Sequence, residues 1–250
     1  MHRFFVNLNQ INDSVINIDG EDFKHITKVL RLKKGEIIEV CDGMGLDYRV
    51  VLEAPGEGTI AGNITETSPS KGETTDMCIT LFQGLPKGSK MEVIIQKSVE
   101  LGVNRIVPFQ SKRSVSQIKE KKDKKTERWQ RIAYEAAKQS KRGIIPVIGE
   151  LSELKDILQD VKPFDLLLLA YEDETKQSLK EVLTGLSQGQ EIKKSLEIGV
   201  IIGPEGGFDP TEVRQCQLAG VKSVSLGNRI LRTETAGMVV LSQLNFWREG

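Results

Sequence analysis

The sequence predicts an α/β protein in two parts: a small β-barrel over residues 1–70, and a mostly parallel sheet covered by helices over residues 77–250. Three observations point there. The first 70 residues break into short β-leaning runs separated by glycines. From Met77 onward strand-like and helix-like runs alternate, the pattern of a parallel sheet with helical crossovers. Between the two, Ser68–Asp76 (SPSKGETTD) is polar and holds Pro69 and Gly72, a linker's composition. A chain of 250 residues suits one large domain or two ordinary ones and can bury a substantial core.

In the first part the β-leaning runs are Phe4–Val6, Val15–Ile18, Ile37–Cys41, Tyr48–Leu52 and Ile60–Glu66. Glu21–Leu30 interrupts them, with Phe23, Ile26, Val29 and Leu30 at helical spacing. From Phe23 to Gly35 there are five Lys/Arg and no acid, which gives the barrel one basic edge. In the second part strands are expected at Cys78–Gln83, Arg105–Phe109, Ile144–Ile148, Leu166–Ala170, Ile198–Ile202 and Ser223–Leu226. Helices are expected at Lys90–Leu101, Arg128–Lys141, Leu151–Gln159, Lys176–Leu183, Pro210–Ala219 and Thr233–Trp247. The helix after Arg128 gathers Trp129, Ile132, Ala133, Ala136, Ala137 and Ser140 on one face and leaves Arg128, Arg131, Lys138 and Arg142 largely off it.

Composition excludes several classes. No apolar run approaches the ~20 residues of a membrane helix, so no membrane partner is expected. MHRFFVNLNQ lacks the apolar stretch of a secretory signal. Cys41, Cys78 and Cys216 are far apart and form no CxxC pair, which reads as reduced structural thiols of a cytoplasmic protein. The only histidines, His2 and His25, lie near the N-terminus. A His-rich metal site or a Ser-His-Asp triad elsewhere is hard to build from them, and no metal is expected. His25 and Trp129 read as packing residues, with His25 alternatively stacking or hydrogen-bonding at the barrel's RNA edge.

The formal net charge is zero, but its distribution is not uniform. Residues 1–76 carry 8 Lys/Arg against 13 Asp/Glu, residues 77–142 carry 16 against 6, and residues 143–250 carry 11 against 16. A block of +10 between two of −5 fits an anionic partner such as a nucleic acid, whose phosphates supply most of the affinity. Part of that block, IKEKKDKK at 118–125, also reads as a solvated loop.

Ligands of open parallel sheets bind where strands end and glycine turns bring backbone amides close. Three segments fit: LLLLAYE (Leu166–Glu172), IIGPEGGF (Ile201–Phe208) and VSLGNRILRTETA (Val224–Ala236), the last entering a helix capped near Thr233. Any one alone is weak, since glycines end strands everywhere. No GK[ST] follows GPEGG and no GxGxxG is present, which disfavours ordinary kinases and nicotinamide dehydrogenases.

IGPEGGF and LGNRILRTETA, together with KMEVIIQKSVELGV (Lys90–Val103), RWQRIAYEAAKQSKR (Arg128–Arg142), HITKVLR (His25–Arg31) and the following KKGEIIEVCDGMG, resemble one family over essentially the whole chain. That family methylates N3 of a uridine, position 1498 in the usual RNA numbering, in 16S ribosomal RNA of the small subunit. The resemblance implies a SPOUT α/β domain with a C-terminal trefoil knot behind an N-terminal PUA-like RNA-binding barrel. It implies S-adenosylmethionine held by Leu168, Leu169, Ala170 and Tyr171, by Ile202, Gly203, Pro204, Glu205 and Gly206, and by Leu226, Gly227, Asn228, Ile230 and Leu231. It also implies a homodimer with the active site near the subunit interface. The apolar stripe of Ala236, Met238, Val239, Val240, Leu241, Leu244 and Phe246 suits either that interface or an ordinary core helix.

The chemistry needs a cation or amide donors to hold the charge of a deprotonated uracil. Arg232 is the first candidate, against a structural ion pair with Glu205 or Glu234. Glu234 is a candidate proton acceptor, or a carboxylate that complements the helix dipole. RNA phosphates are expected at Arg3, Lys28 and Arg31 of the barrel and at Lys87, Lys90, Lys97, Arg113, Arg128, Arg131 and Arg142. Rival readings are a non-catalytic RNA-binding or ribosome-assembly protein, a nucleotide-dependent oxidoreductase, and a methyltransferase of another base or of transfer RNA.

Overall fold

The structure is a computed structural model that describes residues 1–73, 76–114, 122–189 and 195–249. Residues 118–121 of the lysine-rich run lie outside the described residues. Contacts divide the chain into two compact units, Met1–Glu73 with Ala137–Ile145, and Thr74–Ala136 with Pro146–Gly250.

In the first unit, β1 (Arg3–Phe5), β2 (Ile11–Asn12), β3 (Val15–Ile18), β4 (Ile37–Cys41), β5 (Leu46–Leu52) and β6 (Ile60–Pro69) form one sheet in the order β1-β4-β5-β6-β3-β2. All neighbours are antiparallel except β1 and β4. Side chains of a strand alternate between faces, so Ile16 and Ile18, Ile38 and Val40, and Tyr48, Val50 and Leu52 enter one core with Phe4 and Ile60. The helical segment arrives as α1 (Gly20–Lys24) and a π turn, His25–Val29, which sends Ile26 into the same core. His25 is exposed rather than packed inside, and touches Phe4 only ring edge to face, at 6.0 Å. Ser68 and Pro69 continue β6, and the Ser70 and Glu73 side chains are buried, so the expected linker begins as ordered structure.

The second unit holds β7 (Met77–Gly84), α2 (Lys90–Glu100), β8 (Arg105–Gln110), α3 (Lys122–Gln139), β9 (Val147–Ile148), β10 (Ser152–Glu153), α4 (Leu154–Gln159), β11 (Leu166–Ala170), α5 (Leu179–Gly189), β12 (Leu196–Ile202), α6 (Pro210–Leu218), β13 (Lys222–Val224) and α7 (Thr233–Glu249). Residues 137–139 of α3 count with the first unit. The sheet is parallel, in the order β10-β8-β7-β12-β11-β13, with β9 also beside β8. Its two central strands, β7 and β12, and neighbouring β11 are almost continuously apolar because helices cover both faces. On one side α4 and α6 join Phe82, Phe109, Leu169, Ile201 and Phe208 in a core. On the other, α2 packs against α7, and α7 against β12. Fully burying one such Leu, Ile or Phe contributes about 1.5–3 kcal/mol.

Three expected elements came out differently for local reasons. Only Val147–Ile148 of the expected strand at 144–148 pairs with β8, because Pro146 offers no N–H to a ladder. Ile144 bridges Met44 in the first unit instead. Helix α4 starts at Leu154, where Glu153 and Asp156 form a reciprocal cap. Helix α3 starts at Lys122 rather than Arg128. Among the described residues no helix is long and apolar enough to cross a membrane.

Candidate active site

Strands of a parallel sheet all deliver their C-terminal ends to one edge, and the chain's order across the sheet reverses between β7 and β12. Ligand crevices form at such points. The turns that leave β7, β11, β12 and β13 lie at this edge and enclose two cavities. One, of about 360 Å³, is lined by Ala170, Glu172, Ile202–Glu205, Gly207 and Ile230–Thr233, with Lys90 and Ala236. The other, of about 500 Å³, is lined by Ala170–Glu172, Glu174–Ser178, Glu181 and Ser225–Leu231, again with Ala236. Ala170, Glu172, Ile230, Leu231 and Ala236 line both, so the two are compartments of one cleft.

The β12 turn is shaped by close packing. A Cβ on Gly203 would come within 2.9 Å of the Phe208 ring, and Phe208 stacks on Phe109 at 6.4 Å between centroids. Gly207 has φ +64°, a conformation L side chains rarely adopt, and a Cβ there would meet the Glu172 carboxylate. A side chain at Gly203 would push the Phe208 ring, and one at Gly207 would strain the backbone. Helix α6 then starts at once: Thr211 N–H donates to Asp209 at 3.0 Å, Asp209 N–H to Glu212 at 2.9 Å, and Pro210 takes the first helical position.

The first turn of α7 is tied to the same loop. Gln83 at the end of β7, fully buried, donates from Nε2 to Thr233 Oγ1 at 2.9 Å, and Thr233 Oγ1 donates to the Gly203 carbonyl at 2.6 Å. Lys90 Nζ lies 2.9 Å from Glu205 Oε1 and 3.5 Å from Glu234 Oε2. The Lys87 backbone N–H also donates to Glu205, at 3.1 Å. Desolvation would raise the Glu205 carboxyl, but the Lys90 hydrogen bond and the backbone N–H groups of Glu205 and Lys87 outweigh it and hold it below the ordinary carboxylate value. The hydrogen bond to Glu205, then the charges of Glu205 and Glu234, raise Lys90 despite some desolvation. Arg232 sits at the mouth of the cleft with its side chain exposed, its carbonyl accepting from Thr235 and Ala236 N–H. Among the described residues it forms no ion pair.

Most residues expected around a donor face this cleft: Ala170, Tyr171, Ile202, Gly203, Pro204, Glu205, Leu226, Gly227, Asn228, Ile230 and Leu231. Leu168 and Leu169 do not. Both are fully buried within β11, where successive side chains point into the cores on either face. Gly206 faces Arg113, whose carbonyl lies 2.9 Å from where its Cβ would be. Glu234 is absent from both linings; its Oε2 is buried and directed at Lys90. Glu172, Gly207, Thr233 and Ala236 line the cleft without having been expected to. The signal for them was position: each lies inside one of the three strand-end segments already singled out.

The expected RNA contacts separate in the same way. Lys28, Arg31, Lys87 and Arg131 are exposed, and among the described residues none forms an ion pair. Lys97 pairs with Glu100 at 2.8 Å, Arg128 with Glu92 at 2.7 Å, and Arg113 reaches Asp209 at 4.0 Å. Arg3 and Arg142 must be withdrawn. Arg142 is 2% exposed and pairs with Glu73 at 2.7 Å. Arg3 donates to Glu39, to Asp47 at 2.7 Å, to Ser70 at 3.0 Å and to the Arg142 carbonyl at 2.9 Å, with its side chain 7% exposed. A guanidinium taken out of water needs such partners, and they leave no face for a phosphate.

Two family models match the chain. An RNA methyltransferase domain matches residues 73–245, and an RNA methyltransferase PUA domain matches residues 18–65. Ribosomal RNA small subunit methyltransferase E of Bacillus subtilis is 34% identical over 253 residues, spanning 100% of this chain and 98% of its own. The protein of the same name from Aquifex aeolicus is 34% identical over 245 residues, covering 98% and 99%. Ribosomal RNA small subunit methyltransferase E from Neisseria gonorrhoeae, solved bound to S-adenosyl methionine, superposes with a TM-score of 0.79 at 28% identity, covering 98% of this chain and 97% of that one. Cleft, fold and sequence agree: the chain belongs to the RNA methyltransferase family of the ribosomal RNA small subunit methyltransferase E proteins, a methyltransferase domain joined to a PUA domain.

Proposed function

We propose that this protein methylates N3 of a uridine, position 1498, in 16S ribosomal RNA of the small subunit, with S-adenosylmethionine as donor and as a homodimer. One observation carries the reading: the turns after β11, β12 and β13 share one cleft at the sheet's C-terminal edge, lined also by Arg232, which forms no ion pair among the described residues. The cleft fits the donor. Glycine turns bring backbone amides to its wall, Ile202, Ile230, Leu231 and Ala236 offer an apolar surface, and Glu172, Glu174 and Glu181 make a wall favourable to a cation. Bound there, S-adenosylmethionine supplies an electrophilic methyl on a sulfonium leaving group.

The chain's own work is then alignment and charge. Uridine N3 carries a proton at neutral pH; that proton passes to solvent water at the exposed mouth of the cleft, which spreads negative charge over O2 and O4 and frees the N3 lone pair for the methyl. Arg232, fixed at the head of α7, meets that charge in the manner of an oxyanion hole, and the apolar wall keeps competing water away. We read Glu234 as the partner of Lys90 rather than as the proton acceptor, because its inward oxygen is buried against the ammonium. Exposed Lys28, Arg31, Lys87 and Arg131 meet phosphates, and the pocket supplies base choice. On α7, Val240, Leu241 and Leu244 are fully buried, whereas Phe246 is 80% exposed and is available to a second copy.

The test is nucleoside mass spectrometry of 16S ribosomal RNA from cells lacking and then regaining the protein. 3-Methyluridine at position 1498 should vanish and return. A methyl that disappears from another base or from transfer RNA redirects the assignment, and no change in any RNA removes it. Sedimentation at the mass of a single chain would remove the homodimer.

A further inference from the structure

Arg232 has two carboxylates for neighbours. Glu234 is two residues along the same helix start, and Glu205 lines the same 360 Å³ cavity. A carboxylate that reached the guanidinium would neutralise it, since a bidentate guanidinium–carboxylate pair is the strongest available to an arginine. Here both carboxylates face Lys90 instead. Lys90 Nζ holds Glu205 at 2.9 Å and Glu234 at 3.5 Å, and the Lys87 N–H fixes Glu205 from a second direction at 3.1 Å. Lys90 is the first residue of α2, so its ammonium reaches the cleft from an element separate from both carboxylates.

We infer that Lys90 is a positioning residue whose task is to occupy Glu205 and Glu234, so that Arg232 stays unpaired and available to the developing charge on the substrate base. It is not a phosphate contact. Nor is stability its main contribution: its side chain is 36% exposed, and pairs at such exposure contribute little. What it changes is where the negative charge of two glutamates points. The strengthened Lys90 proton affinity and the weakened affinity of Glu205 both follow from the pair and keep it charged through neutral pH. The inference rests on Arg232 acting on the substrate, as proposed above.

Three variants test it: Lys90→Met, Lys90→Arg and the triple variant K90M/E205Q/E234Q, each assayed for methyl transfer to 16S ribosomal RNA and for S-adenosylmethionine binding by calorimetry. K90M should lose about tenfold or more in kcat with donor affinity changed less than about threefold, the split expected when a transition-state contact is quenched. K90R should retain most activity, since it keeps the counter-charge. K90M/E205Q/E234Q should recover a large part of what K90M loses, because both carboxylates that could trap Arg232 are gone. A triple variant that binds donor yet turns over no faster than K90M overturns the inference, as does a K90M enzyme of normal kcat. Side-chain 15N NMR of Arg232 reads the same question without catalysis: Nε–H mobile in the native protein, restrained in K90M. If the native protein transfers no methyl to any RNA, the proposed function fails. The NMR comparison still decides whether Lys90 keeps Arg232 free.

Discussion

In the first unit Arg142 is 2% exposed and paired with Glu73, and Arg3 is enclosed by Glu39, Asp47 and Ser70. In the second unit Arg232 is exposed and, among the described residues, forms no ion pair, while Glu205 and Glu234 face Lys90. All three arginines lie in segments that looked alike as candidates. The contrast shows that a guanidinium's role is set by what surrounds it. Desolvated and matched to carboxylates, it ties distant segments of one unit together; solvated and unmatched, it is left for a substrate.

Removing a partner from the buried network should give the largest effect. Arg142→Ala leaves Glu73 buried without its ion, and should lower unfolding free energy by about 3–5 kcal/mol in denaturant titration. A loss under about 1 kcal/mol would mean the pair is not structural. Arg232→Ala should behave in the opposite sense: kcat lower by about a hundredfold, unfolding free energy within about 0.5 kcal/mol of native. An Arg232→Ala protein that unfolds easily and still methylates would reverse the comparison.

A smaller effect is expected from the solvated cations. The double variant K28A/R31A should bind ribosomal RNA more weakly and reduce the slope of log K against log salt by about 1.4 if each meets one single-stranded phosphate. An unchanged slope removes both from the interface. The smallest effect concerns Cys216, whose thiol burial pushes up to about 12 from 9.0. Its folded value lies above its unfolded one, so its contribution is complete below pH 9.0 and is lost as pH rises toward about 12. Cys216→Ala should therefore show a shallower fall of stability than the native protein across that window. Parallel curves would place the thiol in water.

Much of the fold was legible in the residues. β-leaning runs bounded by polar residues, glycines or proline placed Val15–Ile18, Ile37–Cys41 and Leu166–Ala170 at the residues observed, and the change of rhythm at Met77 marked the parallel sheet. The strand-end segments also marked the cleft, because parallel strands deliver their C-terminal turns to one edge whatever the side chains are. Errors came where a side chain's direction mattered. Leu168 and Leu169 adjoin a cleft residue yet point into the cores, and Gly206 turns toward Arg113 while Gly207 faces the cavity.

By itself, then, the order of residues determined the strands, the helices and the set of turns that could meet a ligand, since periodicity and glycine placement act over a few neighbouring residues. Only the tertiary structure decided which charges remain free. Burial and pairing depend on partners distant along the chain: Glu73 for Arg142, and Glu205 and Glu234 for Lys90. Electrostatic energy follows distance in space and exposure to water, and neither is written in the spacing of residues.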